Sequence, residues 1–232
     1  LSGHLGIAHT RWATHGEPSV RNAHPHICNQ QVSVVHNGII ENYQSLRETQ
    51  LQQAFRFTSE TDTEVIAHQV RHYHQEHDLL TAVRKTLDTL EGAYALGVIS
   101  AQEPERLVVA RRGSPLVIGV GFGEYFVASD VSALLPVTQR FIFLADGDVA
   151  DLSHDCLQIY NQQGEAVNRE IKESELSADA VSRGEYRHYM LKEIFEQPVA
   201  ISNTLEGRLS IDHLQDVFGP MANTAFLGVK RV

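Results

Sequence analysis

Two charged side chains in the first third of the chain, Arg11 and Asp62, have the chemistry to hold the two ends of an α-amino acid. A guanidinium binds a carboxylate through two parallel hydrogen bonds, and a carboxylate held at a helix start can receive a substrate ammonium. For the second residue, the sequence by itself favours a structural interpretation. Thr61 and Glu64 match a capping box, and an acidic side chain in the first turn of a helix offsets its macrodipole. The sequence leaves both interpretations of Asp62 open.

The pair Asn37 and Gly38 follows a β-branched run at 32–35. Asn-Gly after a strand normally predicts a hairpin turn, but the chain continues from Glu41 in a helical pattern instead of a returning strand. A side-chain amide and a backbone N–H that end a strand together suit the oxyanion of an acyl-transfer intermediate, where loss of one donor costs about 3 kcal/mol of barrier. The spacing by itself favours the plain turn, and the oxyanion hole is the alternative.

Six of the 13 histidines fall within the first 36 residues. The pattern lacks the i, i+4 histidine pair and the cysteine partners that zinc sites usually offer, and Pro25 separates His24 from His26. We therefore expect no metal and no other cofactor, and we expect His9, His24 and His26 to satisfy loop backbone groups. A second group is expected on a solvated helix face: His68, His72, His74 and His77.

Neither cysteine has the setting of a nucleophile. Cys28 lies beside a polar turn with no evident base, and Cys156 follows Ser153 near a predicted strand. Two cysteines are also too few for a disulfide scaffold, which indicates a reducing, cytoplasmic location.

Composition excludes several classes of partner. The 232 residues include 19 Lys and Arg against 29 Asp and Glu, a formal net charge of −10. Nucleic acids and anionic membranes attract clustered basic residues, so neither is expected to bind here. No apolar run approaches the ~18 residues that a membrane span requires.

The elements that must position these side chains follow from periodicity. Runs rich in β-branched and aromatic residues predict strands at 32–35, 93–99, 107–110, 116–120, 125–128, 140–144 and 157–160, and near 166–171. Helical periodicity appears over 39–53, 62–76 and 79–90. A strand, three helices and a meander of strands predict an α+β layered fold. Residues 172–185 have the composition of a linker, and an amphipathic segment from Tyr186 is expected to be interrupted at Pro198.

Several motifs together resemble the glutaminase domain of class II glutamine amidotransferases. They are HTRWATHG at 9–16, NAHP at 22–25, VHNGIIEN at 35–42, SETDTE at 59–64, RGSPLVIG at 112–119 and ASD at 128–130. The resemblance implies an N-terminal-nucleophile hydrolase fold, a four-layer α-β-β-α sandwich, incomplete at its N-terminus.

The resemblance also implies roles at the matching positions. Arg11 would bind the α-carboxylate of glutamine and Asp62 its α-ammonium, while Asn37 and Gly38 would form the oxyanion hole. Three further residues would line or close the glutamine pocket: Trp12, Thr14 and His15. The nucleophile of the family is an N-terminal cysteine, which no position here matches, so we expect the chain to bind L-glutamine or L-glutamate without hydrolysing glutamine.

The segment YRHYMLKEIFEQP at 186–198 resembles the junction to sugar-isomerase domains in those family members that convert fructose 6-phosphate to glucosamine 6-phosphate. This implies a glutaminase domain over 1–171, a linker over 172–185 and the start of an isomerase domain over 186–232. Fructose 6-phosphate would then bind only to isomerase domains missing here, and the full enzyme would be a homodimer. The alternatives are a phosphoribosylamine- or asparagine-forming amidotransferase, and a non-catalytic glutamine-binding module.

Overall fold

The computed structural model describes residues 3–11, 14–154, 156–174 and 183–205. The chain divides into two units, 1–178 and 179–232. In the second unit the described residues form one helix, Tyr189–Leu205, which continues through Pro198. The expected interruption at Pro198 is therefore wrong. A proline removes one hydrogen bond and bends a helix, and here it does not end the helix.

The first unit contains strands and helices in the following order: β1 (His26–Cys28), β2 (Val32–Ile40), α1 (Tyr43–Gln52), α2 (Thr63–Tyr73), α3 (Leu79–Leu87), β3 (Gly92–Ser100), β4 (Glu103–Arg112), β5 (Val117–Val120), β6 (Tyr125–Ala128), β7 (Arg140–Phe143), β8 (Val149–Leu152), β9 (Leu157–Tyr160), β10 (Ala166–Val167) and β11 (Ile171–Glu173). Seven strands form one antiparallel sheet in the order β1-β2-β3-β4-β8-β9-β10, and four form a second in the order β11-β7-β5-β6.

The larger sheet is buried on both faces. Leu96 and Val98 of β3 pack with the apolar face of α2, including Val65 and Ile66, in a core between sheet and helices. Ala95, which precedes Leu96 and points to the opposite face, belongs to a second core between the two sheets. Successive side chains of a strand point to opposite faces. Because both faces are buried here, the sequence of β3 is a continuous apolar run.

The smaller sheet has its second face covered at β5, within the described residues, by the segment 131–138, which begins with the 3-10 turn Val131–Ala133. A Cβ added at Gly119 of β5 would lie 3.1 Å from Leu134 Cδ1 and 2.8 Å from Thr138 Cγ2. The layers of the first unit are therefore a helical layer, two sheets and this covering segment. They confirm the predicted α+β sandwich.

Sequence patterns located most elements but missed several boundaries. The predicted helix at 39–53 begins only at Tyr43, because β2 remains paired with β3 as far as Ile40. Strands β1 and β8 were not predicted, and the strand expected near 166–171 is two strands that belong to different sheets. His68 and His74 are buried, so the solvated face predicted for their group is wrong at these two residues. No helix among the described residues is long and apolar enough to cross a membrane.

Two glycines allow the ends of β2 and β3 to approach more closely than side chains permit. Gly38 has a φ of 131°, and an added Cβ would lie 2.0 Å from Ala93 O. Gly92 has a φ of 116°, and its added Cβ would lie 2.2 Å from Ile39 O. Each Cβ position is thus filled by a carbonyl oxygen of the facing strand.

Replacing Gly92 with alanine tests this close approach. We expect Gly92→Ala to lower the free energy of unfolding by about 3 kcal/mol, because backbone strain and a steric clash add. Gly123→Ala is the matched control, since Gly123 also has a positive φ but nothing lies within 4 Å of its added Cβ; its expected loss is about 1 kcal/mol. Urea unfolding measures both, and equal losses would contradict the clash.

Candidate functional site

A cavity of about 280 Å³ opens where the ends of β2 and the start of α2 meet. It is small beside the ~300–1,000 Å³ of typical drug-sized pockets, which suits a ligand the size of one amino acid. The lining residues are His9, Thr10, Arg11, Thr14, His15, His24, His36, Asn37, Gly38, Ile39, Thr61, Asp62 and Thr63. Six of the seven residues predicted from the sequence are among them, and the seventh, Trp12, lies outside the described residues.

Asn37 and Gly38 lie within β2 and not at its end. Their partners across the ladder in β3 are Ala95 and Tyr94, so the plain turn that the Asn-Gly spacing favoured is wrong. The left-handed backbone of Gly38 twists the strand at this point, and the Asn37 side chain is half-buried at the cavity. A side-chain amide and a distorted backbone therefore face the cavity from one rigid strand.

Asp62 joins the start of α2 to the end of β2. Its Oδ2 atom accepts a hydrogen bond from the backbone N–H of Ile40 at 2.9 Å, and its Oδ1 atom lies 3.7 Å from His15 Nδ1. The residue is only 3% exposed. The predicted capping box is not formed, because the Thr61 hydroxyl contacts His26 Nε2 at 3.0 Å instead of the helix backbone. One carboxylate oxygen thus holds the strand while the other faces the cavity.

Glu64 fixes the turn that precedes Asp62, a role the sequence did not predict. Its buried carboxylate accepts hydrogen bonds from both the backbone N–H and the hydroxyl of Thr58 and of Ser59, at 2.6 to 3.0 Å. Burial raises the pKa of Glu64, but the hydrogen bonds from Ser59 and Thr58 outweigh it and the pKa is lowered. The carboxylate therefore stays ionised, and the turn is held by a charged acceptor.

Arg11 organises the loop on the other side of the cavity. Its guanidinium donates to the carbonyl oxygens of His15, of Gly16 at 3.2 Å and of Glu17 at 3.0 Å. These contacts use three of its five N–H groups within the described residues. Asn22, fully buried, continues the connection by donating to Glu17 O at 3.0 Å and accepting from the backbone N–H of Glu60 at 2.9 Å.

Comparison with known proteins identifies the family to which a chain with these cavity residues belongs. The sequence profile described as the glutamine amidotransferase domain matches residues 9–136, more than half of the chain. The chain belongs to the glutamine amidotransferase domain family. The matched range contains the cavity residues on both strand β2 and helix α2.

Curated relatives match this chain over its whole length. The proteins named "Glutamine--fructose-6-phosphate aminotransferase [isomerizing]" from Idiomarina loihiensis and Shewanella oneidensis are 56% and 55% identical over 234 residues, which cover 100% of this chain. The chain spans 38% of the length of each of these relatives.

Solved structures share the fold of the amidotransferase domain. The glutamine phosphoribosylpyrophosphate amidotransferase of B. subtilis superposes with a TM-score of 0.57 at 24% identity, over 68% of this chain and 35% of that one. A structure titled as the allosteric regulatory enzyme of purine biosynthesis gives 0.53 at 25% identity, over 73% and 35%. This likeness confirms the N-terminal-nucleophile hydrolase fold.

Three histidines form the floor of the cavity in the amidotransferase domain: His24 and His36 line it, and His26 packs edge-on against His24 from below. His24 Nδ1 accepts the backbone N–H of His36 at 3.3 Å, so it satisfies strand β2 instead of the expected loop. His26 and His36 contact the hydroxyls of Thr61 and Thr63 at 3.0 Å. Burial, together with neighbouring positive charge, lowers the pKa of His24 to about 3; burial lowers that of His36 to about 4 and also lowers that of His26. The floor is therefore neutral at pH 7. The described residues contain no group of three or more side chains arranged to hold a metal ion.

Neither cysteine lies at the cavity. Cys28 is 1% exposed in the core beneath α2, and burial raises the pKa of its thiol to about 11. Cys156 is exposed and lines a separate groove with Arg106 and Asp151. A thiolate is the nucleophilic form of cysteine, so the Cys28 thiol is inert at neutral pH. Cys156 lies at a different groove and does not reach the cavity.

The neutral floor predicts a dependence of stability on pH. An unfolded histidine takes up a proton near pH 6.5, whereas folded His36 stays neutral until about pH 4. The unfolded state therefore gains protons as pH falls through this window, and the free energy of unfolding decreases by up to about 1.4 kcal/mol per pH unit for this residue. Urea unfolding at pH 7.5, 5.5 and 4.5 measures the decrease.

The variant His36→Asn is the control for this pH dependence. Asparagine places an oxygen near the Nδ1 position, which contacts the Thr63 hydroxyl, but it does not titrate. Groups elsewhere titrate equally in both proteins, so the variant should lose less stability than the parent between pH 6.5 and 4.5. Parallel losses would show that His36 does not contribute.

Proposed function

We propose that the cavity binds L-glutamine, with Arg11 on the α-carboxylate and Asp62 on the α-ammonium. The observation that carries the proposal is that a guanidinium and a buried carboxylate oxygen line one cavity of amino-acid size. Thr14 and His15 contact each other at 3.3 Å on the same wall, and they complete the pocket beside the substrate backbone. Trp12 is proposed to cover it.

Asn37 and Gly38 are proposed to stabilise the oxyanion during hydrolysis of the glutamine carboxamide. A thiol gives its proton to a base, its sulfur adds to the carboxamide carbon, and the oxyanion accepts hydrogen bonds from these two residues. The same proton is transferred to the nitrogen as the carbon–nitrogen bond breaks, which releases ammonia and leaves a thioester. Water then hydrolyses the thioester to glutamate and regenerates the thiol. The donors are preorganised on a paired strand, so their alignment needs no reorganisation when the charge develops.

The thiolate for this reaction does not come from Cys28 or Cys156. The family resemblance assigns the nucleophile to an N-terminal cysteine, and both cysteines of this chain lie away from the cavity. We therefore propose that the 232-residue chain by itself binds glutamine or glutamate weakly and does not hydrolyse glutamine. A non-catalytic glutamine-binding module is the second candidate, favoured by the same location of the cysteines.

The complete protein is proposed to transfer the glutamine nitrogen to fructose 6-phosphate, giving glucosamine 6-phosphate for hexosamine biosynthesis. The support is the identity of 55–56% over the whole chain with aminotransferases so named. Fructose 6-phosphate would bind outside the 38% of those relatives that this chain matches. A cytoplasmic homodimer belongs to the same proposal, as do the boundaries 1–171, 172–185 and 186–232 for glutaminase domain, linker and start of the isomerase domain.

Titration of the 232-residue chain with L-glutamine tests the pocket. We expect Asp62→Asn to weaken binding by at least about tenfold, because a charged hydrogen bond to the ammonium contributes about 1.5–3 kcal/mol, while the asparagine oxygen still accepts the Ile40 N–H. Asp130→Asn is the matched control, since this exposed carboxylate caps the turn Val131–Ala133 and does not line the cavity. Isothermal calorimetry measures both, and equal affinities for the two variants would refute the assignment.

An assay of glutamate release tests the proposed inactivity of the chain. We expect release at the rate of the buffer blank from the parent, from Cys28→Ser and from Cys156→Ser alike. Release that either substitution abolishes would overturn the assignment of the nucleophile. The assay is coupled to glutamate dehydrogenase, and glutamate added to each sample confirms that the coupling works.

A further inference from the structure

The Asn37 amide is held in one orientation by a residue outside the proposed oxyanion hole. His9 Nε2 lies 2.6 Å from Asn37 Oδ1, and both side chains are half-buried at the cavity. An amide oxygen only accepts hydrogen bonds, so His9 must donate through Nε2–H. The Asn37 Nδ2 group has no partner among the described residues, so its two N–H donors remain for a ligand in the cavity.

His9 is in turn held by His24. The two imidazole rings stack with centroids 4.3 Å apart and planes 21° apart. His24 cannot rotate freely, because its Nδ1 atom accepts the backbone N–H of His36, the residue before Asn37 in β2. These contacts connect the β2 backbone through His24 and His9 back to the Asn37 amide on the same strand.

We infer that His9 is a positioning residue that turns the Asn37 amide so that its N–H groups point at the oxyanion. The inference rests on the proposed hydrolysis of glutamine and assigns His9 no contact with the reacting atoms. If Asn37 Oδ1 lost this donor, the amide could rotate by half a turn and present its oxygen to the developing negative charge. Such a loss acts on the transition state and leaves substrate binding nearly unchanged.

Two substitutions separate the hydrogen bond from the packing. His9→Phe keeps an aromatic ring on His24 and removes the donor, whereas His9→Gln restores an N–H donor near the Nε2 position. His72→Phe is the matched control for a histidine-to-phenylalanine change at an exposed helix position away from the cavity.

The kinetic experiment uses a chimera in which this chain replaces the 234 aligned residues of the Idiomarina loihiensis aminotransferase. We expect His9→Phe to lower kcat for glutamate release by at least about tenfold, part of the 10²–10³ that loss of an oxyanion donor costs, with KM changed by less than about threefold. His9→Gln should recover kcat to within about threefold of the parent, and His72→Phe should match the parent.

A double-variant comparison shows whether His9 acts through Asn37. In the Asn37→Ala background, His9→Phe should lower kcat by less than about twofold, because the group that it positions is already gone. An undiminished loss in that background overturns the inference, as does an unchanged kcat in the single variant. An inactive parent chimera refutes the proposed hydrolysis instead, so the two failures are distinguishable.

Nuclear magnetic resonance of the 232-residue chain tests the contact without activity. With nitrogen-15 labelling, we expect the His9 ring to show the Nε2–H tautomer. The Asn37 side-chain amide signals should shift in His9→Phe and return towards the parent positions in His9→Gln. A His9 ring with its proton on Nδ1 alone would overturn the inference even if every variant folds.

Discussion

The hydrogen bond from the Ile40 backbone N–H to the Asp62 carboxylate is the constraint on which the site depends. Ile40 is the last residue of β2, and Asp62 directly precedes α2 on the other side of the cavity. A buried carboxylate that accepts a backbone N–H is a strong, directional tie, and it sets the distance between the Asn37-Gly38 pair and the carboxylate itself. The two proposed halves of a glutamine site are therefore positioned by a single contact.

Buried polar groups that are hydrogen-bonded to one another surround that tie. A buried polar group without a partner is costly, so each one in this region restricts its neighbours. Glu64 holds the turn before Asp62 through four hydrogen bonds, and Asn22 connects that turn to the loop that Arg11 organises. His24, His26 and His36 have lowered pKa values and remain neutral at pH 7, while Arg11 and Asp62 place opposite charges at the cavity that suit a substrate with two charged ends.

The cavity and the nucleophile are separable parts of this family's chemistry. The proposed recognition of the amino acid and stabilisation of an oxyanion need preorganised donors and charges, and the candidates for these lie on a paired strand and at a helix start. Bond breaking needs a thiolate, and the two thiols of the chain are a core side chain and an exposed residue at another groove. Both proposed functions therefore require the same binding cavity and differ only in the nucleophile.

The sequence by itself determined the α+β class and the three helices before the strand meander, because local periodicity is a property of short segments. The grouping of six described residues at one cavity followed from the resemblance of their motifs to a known family. Tertiary structure decided what local patterns cannot express. Asn37 and Gly38 lie inside a strand because pairing with β3 overrides the turn preference of Asn-Gly. Likewise, His9, distant along the chain, contacts Asn37 because the loop and the strand meet only in the folded protein.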